Sequence, residues 1–192
     1  MKNELKHKSD EQLYALLKNK TSAKAAFDEL YERYSTKLYN YCRKILNNQE
    51  LAEDIFQETF TRFYESAQVD RPMSNVAGYL VRIARNLCLN EKVKKHNDNV
   101  PLEDFHFPTY DTNYDKKELA DLLETAIEDL PDQYREVIIL KEYFDMSYKD
   151  IAETLNTTMP VIRIRIYRAR NKIKELMAPY MKDFKSEKNN NL

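Results

Sequence analysis

The sequence predicts an all-α protein of two helical domains, an N-terminal helical bundle and a C-terminal helix-turn-helix domain, joined by a flexible linker. Three observations carry this. The chain has one glycine, Gly78, in 192 residues. Hairpin-rich β folds, glycine-rich phosphate loops and dinucleotide fingerprints need glycine where φ is positive or backbone must approach a ligand. Apolar residues recur every three to four positions almost throughout, which is the helical period. That period fails over residues 96–117, HNDNVPLEDFHFPTYDTNYDKK, which include Pro101 and Pro108. A structureless run of this length inside one compact domain is unusual, so it reads as a linker.

Residues 1–8 read as a polar tail and residues 185–192 as a polar, disordered one. Ser9-Asp10-Glu11 looks like a helix start, with Leu13, Leu16 and Leu17 as its apolar stripe. A second helix spans about 23–46, where Phe27, Leu30, Tyr31, Tyr34, Leu38, Tyr41, Cys42 and Ile45 recur at helical spacing. A third, over roughly 50–66, places Ala52, Phe56, Thr59 and Phe63 on one side, flanked by Ile55 and Phe60. Its opposite side carries Asp54, Gln57, Glu58, Thr61 and Glu65. An acidic outer face is no DNA surface. It is either solvated, the simpler reading from periodicity alone, or it docks a basic protein partner.

Residues 68–75, with Asp70-Arg71-Pro72, form a loop before a fourth helix over about 76–95. There Val76, Leu80, Ile83 and Leu87 face inward, Arg82, Arg85 and Lys92 point out, and Tyr79 and Asn86 flank them. Aromatic and amide groups interleaved with cations suit single-stranded DNA, because cations follow phosphates while rings and amides engage exposed bases. A plainly solvated helix is the bland alternative. Helices resume over 118–130 and 132–143.

Residues 146–175 carry the most information. Ser147 and Asp150 make a capping-box start, and Ile151, Ala152 and Leu155 form the stripe of a short helix. Asn156-Thr157-Thr158 is turn chemistry, since Asn tolerates a left-handed conformation and Thr caps a helix start. Pro160 then falls in a first turn, where its missing N–H costs nothing. In the helix that follows, Ile162, Ile166, Ala169, Ile173 and Leu176 face a core. Arg163, Ile164, Tyr167, Arg168, Asn171 and Lys174 lie opposite, with Arg165, Arg170 and Lys172 on the flanks. From Arg163 to Lys174 there are six cations and no acid. A solvated face normally mixes both signs, so this is read as a major-groove reading helix, its flanking cations on phosphates.

The net charge is −1, so local fields rather than net charge govern binding. Residues 82–95 hold five cations against Glu91, whereas residues 119–145 hold eight acids against Arg135 and Lys141. Cys42 and Cys88 lie inside helical patterns without metal-type spacing, and read as apolar packing in a reducing compartment. The N-terminus lacks a signal-type apolar run and no stretch approaches a membrane span, so a cytoplasmic protein is expected.

Four blocks in order, residues 52–64 (AEDIFQETFTRFY), 78–92 (GYLVRIARNLCLNEK), 130–155 (LPDQYREVIILKEYFDMSYKDIAETL) and 162–173 (IRIRIYRARNKI), resemble those of bacterial RNA polymerase sigma factors. The resemblance is to the extracytoplasmic-function (ECF) branch and covers about residues 9–180. It implies that residues 9–95 dock core RNA polymerase and recognise and melt the -10 element, that 96–117 is a linker, and that 118–182 read the -35 element. It makes Asp54, Gln57, Glu58 and Thr61 candidate polymerase contacts. It assigns Asn75, Tyr79, Arg82, Arg85, Asn86 and Lys92 to the melted -10 strand. Thr158, Arg163, Ile164, Arg165, Tyr167, Arg168, Asn171 and Lys172 are assigned to the duplex -35 element. The implied partners are core polymerase, promoter DNA and an anti-sigma factor, with no cofactor or metal.

The chain departs from the family at three of these positions. Tyr79 stands where Trp is usual, Asn156 replaces the usual turn glycine, and Ile164, at a typical serine position, can contact only an apolar group such as a thymine methyl. The competing reading is an autonomous regulator that binds operator DNA without polymerase. An enzyme is not supported. A di-metal helical bundle needs Glu-x-x-His pairs, and His7, His96 and His106 all lie outside the helical blocks.

Overall fold

The computed structural model describes residues 2–69, 73–97 and 116–190, with side chains described for 4–69, 73–94 and 119–181. Most of the expected linker, and Asp70-Arg71-Pro72 of the expected loop, lie outside these residues. The elements are α1 (Lys2–Leu5), α2 (Asp10–Leu16), α3 (Ala23–Leu46), α4 (Gln49–Ala67), α5 (Val76–Asn97), α6 (Lys116–Glu128), α7 (Asp132–Ile138), a π turn (Ile139–Tyr143), α8 (Tyr148–Thr154) and α9 (Met159–Asn190). All described elements are helical.

Local chemistry explains the boundaries. Ser9 accepts from the Gln12 amide while the Gln12 side chain accepts from the Ser9 amide, closing a capping box at α2. Between α3 and α4, Asn47 takes a left-handed φ of 48° and its N–H donates to the Arg43 carbonyl. Asn48 then accepts from Leu51 N at 2.9 Å. Two consecutive asparagines thus stop one helix and start the next, one tolerating αL and the other supplying a cap oxygen. Asn75 caps α5, accepting from Gly78 N at 2.7 Å.

In the first unit, α3, α4 and α5 pack around Leu30, Leu38, Tyr41, Phe63 and Leu80, all fully buried. Thr59 is buried within α4, and its hydroxyl donates to the Ile55 carbonyl at 2.7 Å, so the polar group costs little there. In α5 the deeply buried positions are Val76, Leu80, Val81, Ala84 and Cys88. Ile83 and Leu87, expected to face inward, are only half-buried, because α5 is covered on one side by its own bundle and on the other by α8.

Three expectations are corrected. Residues 1–8 are not a free tail: Leu5 is buried, and Arg33 ties this segment down by donating to the Leu5, Lys6 and Lys8 carbonyls and to Asp10. His96 lies in the last turn of α5, inside a helix. The C-terminal segment, expected as a disordered tail from 185, continues α9 to Asn190, with Pro179 within the helix.

The two units share a core. Val137, Ile139, Leu140, Phe144, Met146, Ile151, Ala152 and Leu155 of the second unit join the cluster that includes Tyr41, Leu80 and Ala84 of the first. The Tyr41 and Phe144 rings meet edge to face, with centroids 6.4 Å apart. A smaller cluster of Ile127, Leu130, Ile138 and Ala169 holds α6, α7 and α9 together.

The turn between α8 and α9 depends on Asn156, whose φ is 50°. A β-branched residue is strained there by about 1–2 kcal/mol. Asn156→Val is expected to lower the denaturation midpoint of the full chain accordingly, while Asn156→Gly leaves it near wild type. Equal midpoints for all three proteins would show that the turn does not constrain the fold.

Candidate nucleic-acid interfaces

The helix-turn-helix is built as its sequence requires. Ser147 caps α8, accepting from Asp150 N at 3.1 Å, and the Asp150 carboxylate accepts from Ser147 N at 3.2 Å. Ile151 and Ala152 of α8 and Ile162, Ile166 and Ala169 of α9 are buried, with Met177 extending the seam. Ile173 and Leu176 are partly buried. The opposite side of α9 is open: Ile164 is 52% exposed and Tyr167 67%. Thr158, Arg163, Arg168, Asn171 and Lys174 are exposed beside them. Arg165 is partly buried on the flank. Arg170 pairs with Glu142 of the π turn at 2.8 Å, and Lys172 lies 3.5 Å from Glu175. The Arg170 guanidinium, hydrogen-bonded to Glu142, titrates above its ordinary range.

The fourth-helix residues are brought together, but not on an open surface. Arg82 and Asn86 are exposed on α5. Tyr79 is half-buried, its ring 6.3 Å from that of Phe63. Arg85 instead donates to Glu136 of α7 at 2.8 Å, and Lys92 to Asp132 at 2.6 Å. Asn75 reaches toward Asp150 at 3.4 Å while capping its own helix. A cleft lies at this junction, lined by Asn75, Gly78, Tyr79 and Arg82 from the first unit and Glu153 and Thr154 from the second. The expectation that Arg85 and Lys92 point outward therefore holds for the first unit alone; in the whole chain they meet carboxylates.

Several contacts between the two units were missed by sequence reasoning. Glu136 accepts from both Arg85 and the Tyr41 hydroxyl, the latter at 2.9 Å. Burial and the neighbouring Glu136 carboxylate push Tyr41 well above the ordinary tyrosine range, so it remains a donor. Lys44 is 3% exposed and pairs with Glu124 of α6, with Glu128 3.9 Å away. Arg135 donates to the Lys44 carbonyl at 3.1 Å. Burial opposes the charged form of Glu124, but hydrogen bonds from Lys44 and Tyr143 outweigh it and hold the carboxyl below its usual range. Of these contacts only Arg85–Glu136 had a sequence signal, the opposite charge of the two blocks.

Asp54, Gln57, Glu58 and Thr61 are all exposed along α4. Glu58 pairs with Arg62 at 2.6 Å and the Thr61 hydroxyl donates to the Gln57 carbonyl. Half-exposed rings border this face: Tyr31, Phe56 and Tyr64. Among the described residues no group of His, Cys, Asp and Glu is placed to hold a metal ion, and no helix is long and apolar enough to cross a membrane.

A helix-turn-helix with an uncovered cationic reading face, joined to a bundle bearing a second basic helix and an acidic one, defines a transcription protein with more than one macromolecular surface. Residues 30–97 match the family model described as Sigma-70 region 2, and residues 120–173 match Sigma-70, region 4. The chain is 31% identical over 167 residues to the ECF RNA polymerase sigma factor SigW of Bacillus subtilis, covering 78% of this chain and 88% of that protein. It is 30% identical over 169 residues to the ECF RNA polymerase sigma factor SigE of Mycolicibacterium smegmatis, of whose length it spans 64%. The fold is similar to that of the sigma factor RpoE of Bartonella quintana, solved in complex with the anti-sigma factor NepR (TM-score 0.65, 23% identity, 79% of this chain and 96% of that one). It is also similar to CnrH in complex with the cytosolic domain of CnrY (TM-score 0.63, 18% identity, 89% and 99%). The chain belongs to the ECF family of RNA polymerase sigma factors, and its function is to direct RNA polymerase to promoters. The match of its N-terminal half to sigma region 2 does not favour the autonomous-regulator reading.

Proposed function

We propose that three faces divide the work of initiation. The outward side of α9, with Arg163, Ile164, Tyr167 and Arg168 at its centre and Thr158, Arg165, Asn171 and Lys172 around it, reads the duplex -35 element. The α5 face, Asn75, Tyr79, Arg82, Arg85, Asn86 and Lys92, holds the melted -10 strand. The α4 face, Asp54, Gln57, Glu58 and Thr61, docks core RNA polymerase. In this reading residues 9–95 are the docking and melting domain, 96–117 the linker and 118–182 the -35 domain. The protein acts in the cytoplasm and has no catalysis of its own.

The observation that carries the reading is the open side of α9, where an isoleucine and a tyrosine are left more than half exposed between arginines while Ile162, Ile166 and Ala169 on the other side are buried. In a groove, Arg165 and Lys172 neutralise phosphates, Arg163 and Arg168 reach base edges, and Ile164 meets a thymine methyl. A flipped base costs a few kcal/mol, so side chains that hold the opened strand also select its sequence. The anti-sigma complexes of the structural neighbours support an anti-sigma factor as a further partner.

The test is to mix the purified chain with core RNA polymerase and measure complex formation, then transcription from genomic fragments. A stable complex that starts transcripts at discrete sites is expected. No binding to core, together with specific duplex binding by the chain alone, would overturn the reading. Arg168→Ala should weaken promoter binding by about 1–3 kcal/mol while leaving core binding intact; an equal loss on all DNA would remove its base-reading role. Asp54→Lys with Glu58→Lys should abolish co-purification with core polymerase while circular dichroism stays native. Unchanged co-purification would remove α4 from the docking surface.

A further inference from the structure

Along α9 the residues that stand furthest from the core form a single line. Pro160, Ile164, Tyr167 and Asn171 follow one another at alternating four- and three-residue spacing, which stacks them on one side of a helix, and all four are exposed. Ile162, Ile166 and Ala169 are buried on the opposite side. The cations lie beside this line rather than on it, Arg163 on one flank and Arg165 and Arg168 on the other. Neither Arg163 nor Arg168 is held in an ion pair among the described residues, whereas Arg170 is tied to Glu142.

The chemistry of the line changes along its length. Pro160 and Ile164 carry no side-chain donor or acceptor, and Met159, 38% exposed, adds a further apolar group at the same end. The first hydrogen-bonding group is the Tyr167 hydroxyl, at the tip of a ring that is itself open to solvent. In a helix-turn-helix the N-terminal part of the second helix is the part that reaches base edges. Here that part is apolar at its centre. With no acid from Arg163 to Lys174, the surrounding surface fits a polyanion, and the apolar centre must meet an apolar group on that polyanion. In the major groove that group is the 5-methyl of thymine. Cytosine presents a hydrogen at the same carbon, and 5-methylcytosine presents the same methyl as thymine.

We propose that Ile164, with Pro160 and the Tyr167 ring at its sides, reads the 5-methyl group itself rather than thymine as a base. The chain then favours thymine over cytosine at that step, accepts 5-methylcytosine, and responds in promoter affinity to methylation of cytosine at carbon 5. Arg163 and Arg168 read hydrogen-bonding edges at neighbouring steps and are indifferent to the methyl. The inference rests on α9 being the duplex-reading face.

The experiment uses holoenzyme assembled from the full chain and core RNA polymerase, with synthetic duplexes of one promoter located by its transcript start. Each thymine of the -35 block is replaced in turn by deoxyuridine, which lacks only the methyl. At the step that Ile164 reads, affinity is expected to fall about fourfold, the worth of one buried methyl-sized group. A cytosine at that step should bind more weakly than 5-methylcytosine by about the same factor. Ile164→Ala should bind thymine and deoxyuridine duplexes alike, whereas Ile164→Val should keep the preference. Ile164 is exposed, so neither change disturbs the core. Equal binding of thymine and deoxyuridine at every step by the wild type, with Arg168→Ala still weakening promoter binding selectively, would overturn methyl reading and leave α9 as the reading helix. If Arg168→Ala instead weakens binding to all DNA alike, the inference falls together with the assignment of α9. A deoxyuridine effect that survives Ile164→Ala would place the methyl contact elsewhere and overturn the role of this line.

Discussion

The arrangement of this molecule turns on one carboxylate. Glu136 lies between the Tyr41 hydroxyl and the Arg85 guanidinium, joining α7 to both α3 and α5. A carboxylate taken largely out of water is tolerated only when its oxygens are bonded, and here a cation and a neutral donor meet the same oxygen. Removing Arg85 leaves a poorly compensated charge, which is far more costly than losing an exposed ion pair. Through α7, which packs on α9, this point ties the helix-turn-helix unit to the first unit.

Around that point the interface combines strong and weak contacts. The Lys92–Asp132 pair is largely solvated on the acid's side, and such pairs are worth about 0–1 kcal/mol. The Tyr41–Phe144 contact and the apolar residues of α8 supply area, whereas the Lys44–Glu124 pair, with its lysine buried and its acid partly open, and the Arg135 bond supply register. Parting the units would open the apolar cluster they share, Leu80 and Ile162 included, as well as the ion pairs, so the contact is part of the folded chain's own core.

Much of this was legible in the sequence, because local signals and tertiary outcome agree. The bounds of α3, the Ser147–Asp150 box, the left-handed Asn156 and the two sides of α9 follow from period and capping chemistry. Prediction stopped where contacts join distant segments. Tyr41 and Lys44 read as ordinary helix positions, and nothing local marks them as partners of residues 80 or more positions away. The basic block at 82–95 and the acidic block at 119–145 were visible as opposites, yet charge alone does not say whether they meet each other or separate partners. The inward phase of α5 shifted for a related reason. A helix packed from two sides buries a wider arc, which draws in Val81, Ala84 and Cys88 and leaves Ile83 and Leu87 at the edge. The N-terminal eight residues looked solvated because their anchor, Arg33, lies far along the chain in α3.

The most direct test of the account is the distance between the two units, measured by pulsed electron spin resonance with labels at Lys24→Cys on α3 and Lys174→Cys on α9. Both positions are exposed, whereas the native Cys42 and Cys88 are buried. The hydrogen bond with Cys88, together with burial, pushes the Cys42 thiol far above its ordinary range, which disfavours labelling there. A single narrow distance in the free chain is the predicted result, and a broad distribution would contradict the claim that Glu136 and the shared apolar cluster hold one unit on the other.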